Sequence, residues 1–213
     1  MASRGPNAIA AKGEKPMRVL IACEYSGTVR DAFRAAGHDA MSCDLLPTDS
    51  PGPHYQGDVF DIIRDGWDMM IAHPPCTYLA SMGIWWNAKR PERWPLTYEA
   101  RDFVARLADA PIDKIAIENP IGYLSKNWRK PTQIIHPWQH GDEANKPTCL
   151  WLKNLPPITP TKIVGKGDFY VKANGHRMSV WSHKQSGTNK AKRAKIASTT
   201  FQGIADAMAA QWG

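Results

Sequence analysis

The stretch from residue 71 to residue 77 reads Ile-Ala-His-Pro-Pro-Cys-Thr, and its cysteine has the setting of a nucleophile. It follows an apolar run at 67–71 that is typical of a short strand inside a sheet. Pro74 and Pro75 end that strand and fix the backbone, so the thiol of Cys76 is held at the carboxyl end of the strand. Ligands of open α/β sheets bind at that end. The alternative is that Cys76 is a small buried apolar side chain.

A carboxylate is presented in the same way by a later strand. Residues 114–117 have the pattern of a short buried strand and are followed directly by Glu118, Asn119 and Pro120. The proline again stops the strand, so Glu118 is delivered from the end of a buried element. We expect Glu118 to lie in the same site as Cys76, and the alternative is a surface glutamate.

The folded part of the chain begins with strand, turn, helix and strand. The apolar run at 17–22 is followed by a turn with Gly27, a helical pattern, and a strand at 38–43 that ends at Asp44. This order is the first half of a nucleotide-binding α/β unit. Gly27 lets a ligand approach the backbone, the helix N-terminus offers free amide groups, and Asp44 can accept hydrogen bonds from both hydroxyls of a ribose. Asp58 lies in a further acidic turn, as a helix cap or as a site residue.

Length and composition limit the classes of protein. The 213 residues are enough for one α/β domain of ordinary size with a small appendage. No apolar run approaches the roughly 18 residues of a membrane span, and the polar N-terminal segment lacks the apolar centre of a signal peptide. The four cysteines lie far apart, which argues against a zinc site and a disulfide framework. We therefore expect a cytoplasmic, monomeric protein without a bound metal.

Positive charge is concentrated in two groups of residues. The net charge is +7, and such an excess suits a polyanion or a solvated surface. Cations next to tryptophans favour nucleic acid, because phosphates attract the cations and exposed bases stack on the rings. The first group follows the cysteine stretch and contains Trp85, Trp86, Lys89, Arg90 and Arg93. The second group lies near the C-terminus and contains Lys184, Lys190, Lys192 and Arg193.

The rest of the chain is read from its periodicity. Residues 78–95 have little periodicity and are expected to form a long lid or binding loop. Apolar spacing predicts a helix through 100–107 and an amphipathic helix at the C-terminus. Short strands are expected at 148–152 and 168–171, within a region rich in Pro, Gly, Trp, Lys and Thr.

These patterns predict an α/β fold: a mostly parallel sheet with helices on both faces and a small irregular appendage of strands and loops. We expect a flexible tail at 1–16. A catalytic domain is expected to combine 17–125 with 197–213. A small target-recognition or nucleic-acid-binding region is expected at 126–196.

An ordered set of motifs resembles the cytosine-C5 DNA methyltransferases, and most closely their short, phage-type members. The likeness covers about residues 17–125 and the final helix. It implies a Rossmann-like, S-adenosylmethionine-dependent methyltransferase fold, DNA as the partner, and a location in the cytoplasm of a bacterial or phage-infected cell. Pro120 stands where the family usually has valine, and no match to its paired-arginine motif is found. The set consists of the Ser26-Gly27 turn, Asp44, Asp58, the Pro74-Pro75-Cys76 motif and the Glu118-Asn119 pair.

The resemblance also implies a role for each motif. Cys76, after Pro75, would attack C6 of a flipped-out cytosine and form a covalent adduct. Glu118 would hydrogen-bond or protonate the ring at N3, and Asn119 would hold the loop and Glu118 in place. The two basic groups would bind DNA. S-adenosylmethionine would be held by Glu24, Tyr25, Ser26, Gly27, Asp44, Asp58 and Pro74.

Three other functions fit parts of the pattern. An amino-methyltransferase would share the fold, but its motif normally has an acid or Asn, then Pro-Pro and an aromatic residue, where this chain has His73 and Cys76. A folate-dependent pyrimidine C5 enzyme acting on free nucleotides also uses a cysteine after a proline. A catalytically inactive nucleic-acid-binding protein of the same fold accounts for the charge and the tryptophans, but gives no reason for Cys76 and Glu118 at strand ends.

Overall fold

A computed structural model of the chain describes residues 15–171, 173, 175, 177–180, 189, 195, 196 and 198–213. Nine strands are found in these ranges: β1 Arg18–Ala22, β2 Asp39–Asp44, β3 His54–Gln56, β4 Met69–Ala72, β5 Lys114–Pro120, β6 Gln133–Ile135, β7 Thr148–Lys153, β8 Phe169–Val171 and β9 Arg177–Ser179. The first seven form one sheet in the order β3-β2-β1-β4-β5-β7-β6. Strands β8 and β9 pair with each other in a separate two-stranded sheet.

The central sheet is parallel from β3 to β5 and antiparallel at the other edge, where β7 pairs with both β5 and β6. Its first five strands follow the order 3-2-1-4-5 of doubly wound nucleotide-binding folds. The chain leaves β1 toward one edge of the sheet and β4 toward the other, so the topological switch point lies between these two strands. Ligands of such sheets bind outside the carboxyl ends at that point.

Helices cover both faces of the sheet, as the sequence predicts. On one face, α1 (Thr28–Ala35) and the C-terminal helix (Gln202–Trp212) pack on Ile21, Ile71 and Leu150. On the other face, α2 (Val59–Ile62) and α4 (Trp94–Ala108) pack on Leu20 and Met70. The helices of the described part are α1 Thr28–Ala35, α2 Val59–Ile62, α3 Ser81–Lys89, α4 Trp94–Ala108, α5 Tyr123–Asn127 and the C-terminal helix Gln202–Trp212, with 3-10 turns at Pro91–Arg93 and Pro137–Gln139.

The prediction of a loop at 78–95 is wrong, because most of this stretch is helical. It forms α3, a 3-10 turn and the start of α4. The buried positions of α3 are Gly83 and Asn87. Gly83 packs closely against the carbonyl of Thr77, and Asn87 donates a hydrogen bond to Thr97 at 2.7 Å. Because small and polar residues make its buried face, α3 has no apolar period to detect.

The predicted division at residue 126 also differs from the structure. Strands β6 and β7 complete the central sheet, although both lie within the region expected to be a separate appendage. Strand β5 runs on through Glu118 and Asn119 because β7 pairs with it along that length. Its parallel pairing with β4 ends earlier, at Ile117, so Glu118 still lies beyond the end of β4. Within the described ranges, no helix has both the length and the apolar composition needed to cross a membrane.

Candidate active site

Two cavities lie side by side at the carboxyl edge of the sheet, around the switch point. The smaller, of about 240 Å³, contains Cys76 and Glu118. The larger, of about 500 Å³, contains Asp44 and Asp58. Residues Cys23 and Pro75 line both cavities. The sheet therefore brings the predicted nucleophile, the predicted acid and the predicted nucleoside ligands to one region.

The loop that carries Cys76 is held from two neighbouring strands. His73 donates its backbone N–H to the carbonyl of Ala22 at 2.9 Å, which ties the loop to the end of β1. Asn119 donates its side-chain Nδ2 hydrogen to the carbonyl of Pro74, also at 2.9 Å, which ties it to β5. The carbonyl of Cys76 itself accepts the N–H groups of the next turn. This hydrogen bond is consistent with the expectation that Asn119 holds the loop and Glu118 in place.

Glu118 is a mostly buried carboxylate with basic and hydroxyl neighbours. Its Oε2 lies 3.6 Å from Nδ1 of His73, and the two side chains are 18% and 7% exposed. Burial raises the pKa of Glu118, but interactions with His73, Lys146 and Thr148 outweigh burial and leave that pKa below its usual value. Glu118 is therefore a carboxylate at neutral pH.

Cys76 is partly exposed, and its raised pKa keeps it a thiol at neutral pH. Burial and the charge of Glu118 raise the pKa of Cys76, and Lys146 acts in the opposite direction. Lys146 is a wall of the smaller cavity and supplies the positive charge near both groups. The site thus holds one proton on sulfur, one ionised carboxylate and one cation.

The sequence predicts free N–H groups at the start of α1, but these groups are already hydrogen-bonded. Glu24 accepts hydrogen bonds from the N–H groups of Val29 and Arg30, at 2.8 and 3.2 Å, and from the hydroxyl of Ser26. A buried carboxylate thus satisfies the N-terminal donors of α1. Glu24 and Ser26 still line the smaller cavity. Gly27 lines neither cavity; its φ of 78° and its close approach to the Arg30 guanidinium require a glycine there.

The larger cavity has an acidic rim and apolar walls. Asp44 accepts the N–H of Leu46 at 2.9 Å, and Asp58 caps α2 by accepting the N–H of Phe60 at 3.0 Å. Each of these hydrogen bonds uses one carboxylate oxygen. Val59 and Phe103 are among the apolar residues that line the cavity. Carboxylates that accept hydrogen bonds beside an apolar slot suit a ribose and a base, so this cavity could hold a nucleoside.

A short segment just before the C-terminal helix, residues 198–200, contributes to the wall of the smaller cavity. Ser198 and Thr200 line the cavity, and Ser198 Oγ lies 3.0 Å from the hydroxyl of Tyr25. Lys195 pairs with Asp49 at 2.7 Å. Two predicted site residues, Tyr25 and Pro74, line this cavity as well.

The first basic and aromatic group lies outside both cavities. Trp85 and Trp86 are 52% and 42% exposed on α3, in edge-to-face contact at 4.9 Å. Lys89 and Arg90 lie over these two rings at 5.9 and 5.4 Å. Arg93 differs from them, because it packs on the ring of Tyr78 and donates to Asn87. The second group, Lys184, Lys190, Lys192 and Arg193, lies outside the described residues.

Several residues of the smaller cavity and its surroundings are not among the predicted site residues, and His73, Lys146, Thr148 and Ser198 are four of them. His73 was visible as a polar residue before the two prolines, but nothing in the sequence indicates that it meets Glu118. Lys146 and Thr148 come from the region after Glu118, which was read as a separate appendage. Ser198 comes from the segment before the last helix. Only the path of the chain brings these residues together.

No three His, Cys, Asp or Glu side chains within the described ranges form a group that could hold a metal ion. Comparison with models of known protein families gave no match for this chain, and no curated protein matches it either. The chemistry of the two cavities is therefore the basis for assigning a function.

Proposed function

We propose that this protein is an S-adenosylmethionine-dependent DNA cytosine-C5 methyltransferase with a Rossmann-like methyltransferase fold. The observation that carries the proposal is the meeting of Cys76 and Glu118 in one cavity, next to a second cavity with nucleoside-type ligands. A thiol and a carboxylate are the two groups that activation of a pyrimidine ring requires. The second cavity supplies a place for the methyl donor beside them.

Cys76 acts as the nucleophile. Its sulfur adds to C6 of the cytosine, which breaks the aromaticity of the ring and makes C5 electron-rich. The proton that the thiol loses is balanced by the proton that Glu118 takes up, and Glu118 then donates it to N3 as negative charge develops there. Loss of the C5 proton after methylation expels the sulfur and restores the ring. The site starts as a thiol and a carboxylate, so the proton leaves sulfur only as negative charge develops on the ring.

The residues around the larger cavity would hold the cofactor. Asp44 would accept hydrogen bonds from the ribose hydroxyls, and Asp58 from the adenine amino group. Glu24 and Ser26 would face the methionine end from the smaller cavity. Bound S-adenosylmethionine would supply an electrophilic methyl group on a sulfonium. Because Cys23 and Pro75 line both cavities, the cavity for the methyl donor would adjoin the cavity for the target base.

DNA is the substrate that the surface supports. A cytosine inside a duplex cannot reach Cys76, so the base has to leave the helix and enter the smaller cavity. The exposed rings of Trp85 and Trp86, with Lys89 and Arg90 over them, would bind the unpaired strand by stacking and by charge. Action on DNA of this kind would occur in the cytoplasm of a bacterial or phage-infected cell.

The decisive experiment is covalent trapping. The protein is incubated with S-adenosylmethionine and DNA that contains 5-fluorocytosine, in which fluorine blocks the final elimination. We expect a complex that survives denaturation, with the mass of the methylated oligonucleotide on the peptide that contains Cys76. Cys76→Ser is expected to abolish it, whereas Cys149→Ala, at a buried thiol in β7 outside both cavities, is expected to retain it.

Three other results would favour a different function or contradict the proposed one. Binding of S-adenosylmethionine and DNA without an adduct would favour an amino-methyltransferase or a catalytically inactive binding protein. An adduct with 5-fluoro-dCMP, but not with DNA, would favour an enzyme of free nucleotides. Failure to bind S-adenosylmethionine, measured by calorimetry, would contradict the proposed cofactor and the family together.

A further inference from the structure

His73 has no role in the reaction proposed above, although it lies against Glu118. Its side chain is 7% exposed, and its Nδ1 lies 3.6 Å from Oε2 of Glu118. Its other ring nitrogen, Nε2, is buried and has no hydrogen-bond partner among the described residues. The residue also lines the smaller cavity, next to Cys76 and Glu118. A buried polar atom without a partner is unusual in a native protein and calls for an explanation.

We propose that His73 is a positioning residue, whose Nδ1–H holds the Glu118 carboxylate in the orientation that the target ring requires. This inference rests on the proposed function, since it concerns how Glu118 meets the pyrimidine. It extends that function to a residue that makes no contact with the reacting atoms.

The position of the ring proton follows from the surroundings of the two nitrogens. A neutral imidazole has one N–H donor and one acceptor nitrogen. Nδ1 faces a carboxylate, whereas Nε2 faces no acceptor among the described residues. A hydrogen on Nδ1 is therefore the one that Glu118 can accept. At 3.6 Å the contact is longer than an ordinary hydrogen bond, and contacts of this kind in unliganded sites often tighten when the substrate binds.

A purely structural role explains His73 poorly. The loop is attached through the backbone N–H of His73, which bonds to Ala22 whatever the side chain is. An apolar ring of similar size would fill the same space without burying an unpartnered nitrogen. A histidine at this position therefore lowers stability, and its contact with Glu118 gives a functional reason for its presence.

The other charged and titratable neighbours of Glu118 cannot replace His73. Lys146 and Thr148 both favour the ionised form of Glu118, Lys146 through its charge and Thr148 from the neighbouring strand β7. The thiols Cys76 and Cys149 feel the charge of Glu118, which raises the pKa of both. His73 approaches Glu118 from the loop after β4, and the same loop carries the nucleophile. It thus links the positions of Cys76 and Glu118 to each other.

The test compares three substitutions that differ only in where a donor is placed. His73→Asn puts an amide N–H where Nδ1 was, His73→Gln puts it near the position of Nε2, and His73→Phe fills the volume with no donor. His38→Asn, at a half-exposed histidine at the opposite end of the sheet, is the control. For each variant we measure the rate of the 5-fluorocytosine adduct, the melting temperature, and the titration of Glu118 by carbon-13 NMR.

We expect His73→Phe and His73→Gln to slow adduct formation by about 10- to 100-fold, the value of a hydrogen bond to a charged group. The melting temperature of His73→Phe should be equal to or above that of the wild type. His73→Asn should recover most of the rate and keep the Glu118 titration close to the wild-type position, whereas His73→Phe should move that titration to higher pH.

Failure of the inference and failure of the proposed function give different results. No adduct with the wild type would contradict the proposed function, and the NMR titration would still decide whether His73 acts on Glu118. A wild-type adduct formed equally fast by His73→Phe would overturn the inference alone. Equal rates for His73→Asn and His73→Phe, or an unmoved Glu118 titration, would overturn it as well.

Discussion

Asn119 donates its side-chain hydrogen bond to the carbonyl oxygen of Pro74, so the residue after the candidate acid supports the loop that carries the candidate nucleophile. Both partners of this bond are removed from solvent, since Asn119 is only 1% exposed. This bond thereby helps to fix the separation of Cys76 and Glu118 through a side chain that belongs to neither.

Asn119→Ala should lower both stability and the rate of adduct formation. It leaves the buried carbonyl of Pro74 without a donor, which costs about 1–3 kcal/mol in the free energy of unfolding. Urea unfolding measures the first effect and 5-fluorocytosine trapping the second. Asn127→Ala is the matched control, because Asn127 makes the same kind of bond to Tyr123 at the surface. A loss of stability no larger than that of the control would contradict this account.

The reactivity of Cys76 should depend on two charges of opposite sign. Burial and Glu118 raise the pKa of Cys76, and Lys146 lowers it. Alkylation by iodoacetamide, which needs the thiolate, should therefore have a midpoint above the ordinary pH for a cysteine. Glu118→Gln should move this midpoint down and Lys146→Met should move it up, as measured by mass spectrometry of the Cys76 peptide. Movement of both midpoints in one direction would rule out this charge arrangement.

Glu118 should also make stability depend on pH. Its pKa is lowered in the folded protein, so its ionised form contributes stability above the ordinary pKa of a glutamate, near 4.3. This contribution should be lost as pH falls from that value through the lower folded pKa. The difference in unfolding free energy between wild type and Glu118→Gln should accordingly shrink between about pH 5 and pH 3. A difference that is constant over this range would show that the folded protein does not lower the pKa.

The exposed tryptophans should contribute to binding of single-stranded DNA. Trp86→Ala should cost about 1–3 kcal/mol of binding free energy, the value of one stacked base. Lys89→Ala should weaken binding for all sequences and reduce the slope of affinity against salt by about one. Fluorescence anisotropy at several salt concentrations measures both. Arg64→Ala, at an exposed cation after α2, is the control and should change neither quantity.

The sequence predicts the parallel part of the fold and the main pair of the site well, because these depend on local signals. Short apolar runs that end in proline or an acid identify β4 and β5 and put Cys76 and Glu118 at one edge. The helix of residues 100–107 and the C-terminal helix are also confirmed, since their apolar faces repeat at helical spacing.

Other parts depend on contacts that no local pattern reveals. Helix α3 buries Gly83 and Asn87 and exposes its tryptophans, which reverses the usual pattern of an amphipathic helix. Strand β7 enters the sheet beside β5 only because the chain returns in the opposite direction. That return is also what brings Lys146 to the smaller cavity. His73 gains its partner from β5, which the chain reaches only after α3 and α4.

The smaller cavity takes its walls from residues as far apart as Cys23 and Thr200. During synthesis on the ribosome, the strand that presents Cys76 is made well before the segment that covers it. A nascent chain that has not yet reached Thr200 therefore lacks part of the wall of the smaller cavity. Methyl transfer, on the function proposed above, would begin only after the chain has been synthesised through Thr200. Translation itself would then delay modification of DNA until that segment has reached the cavity.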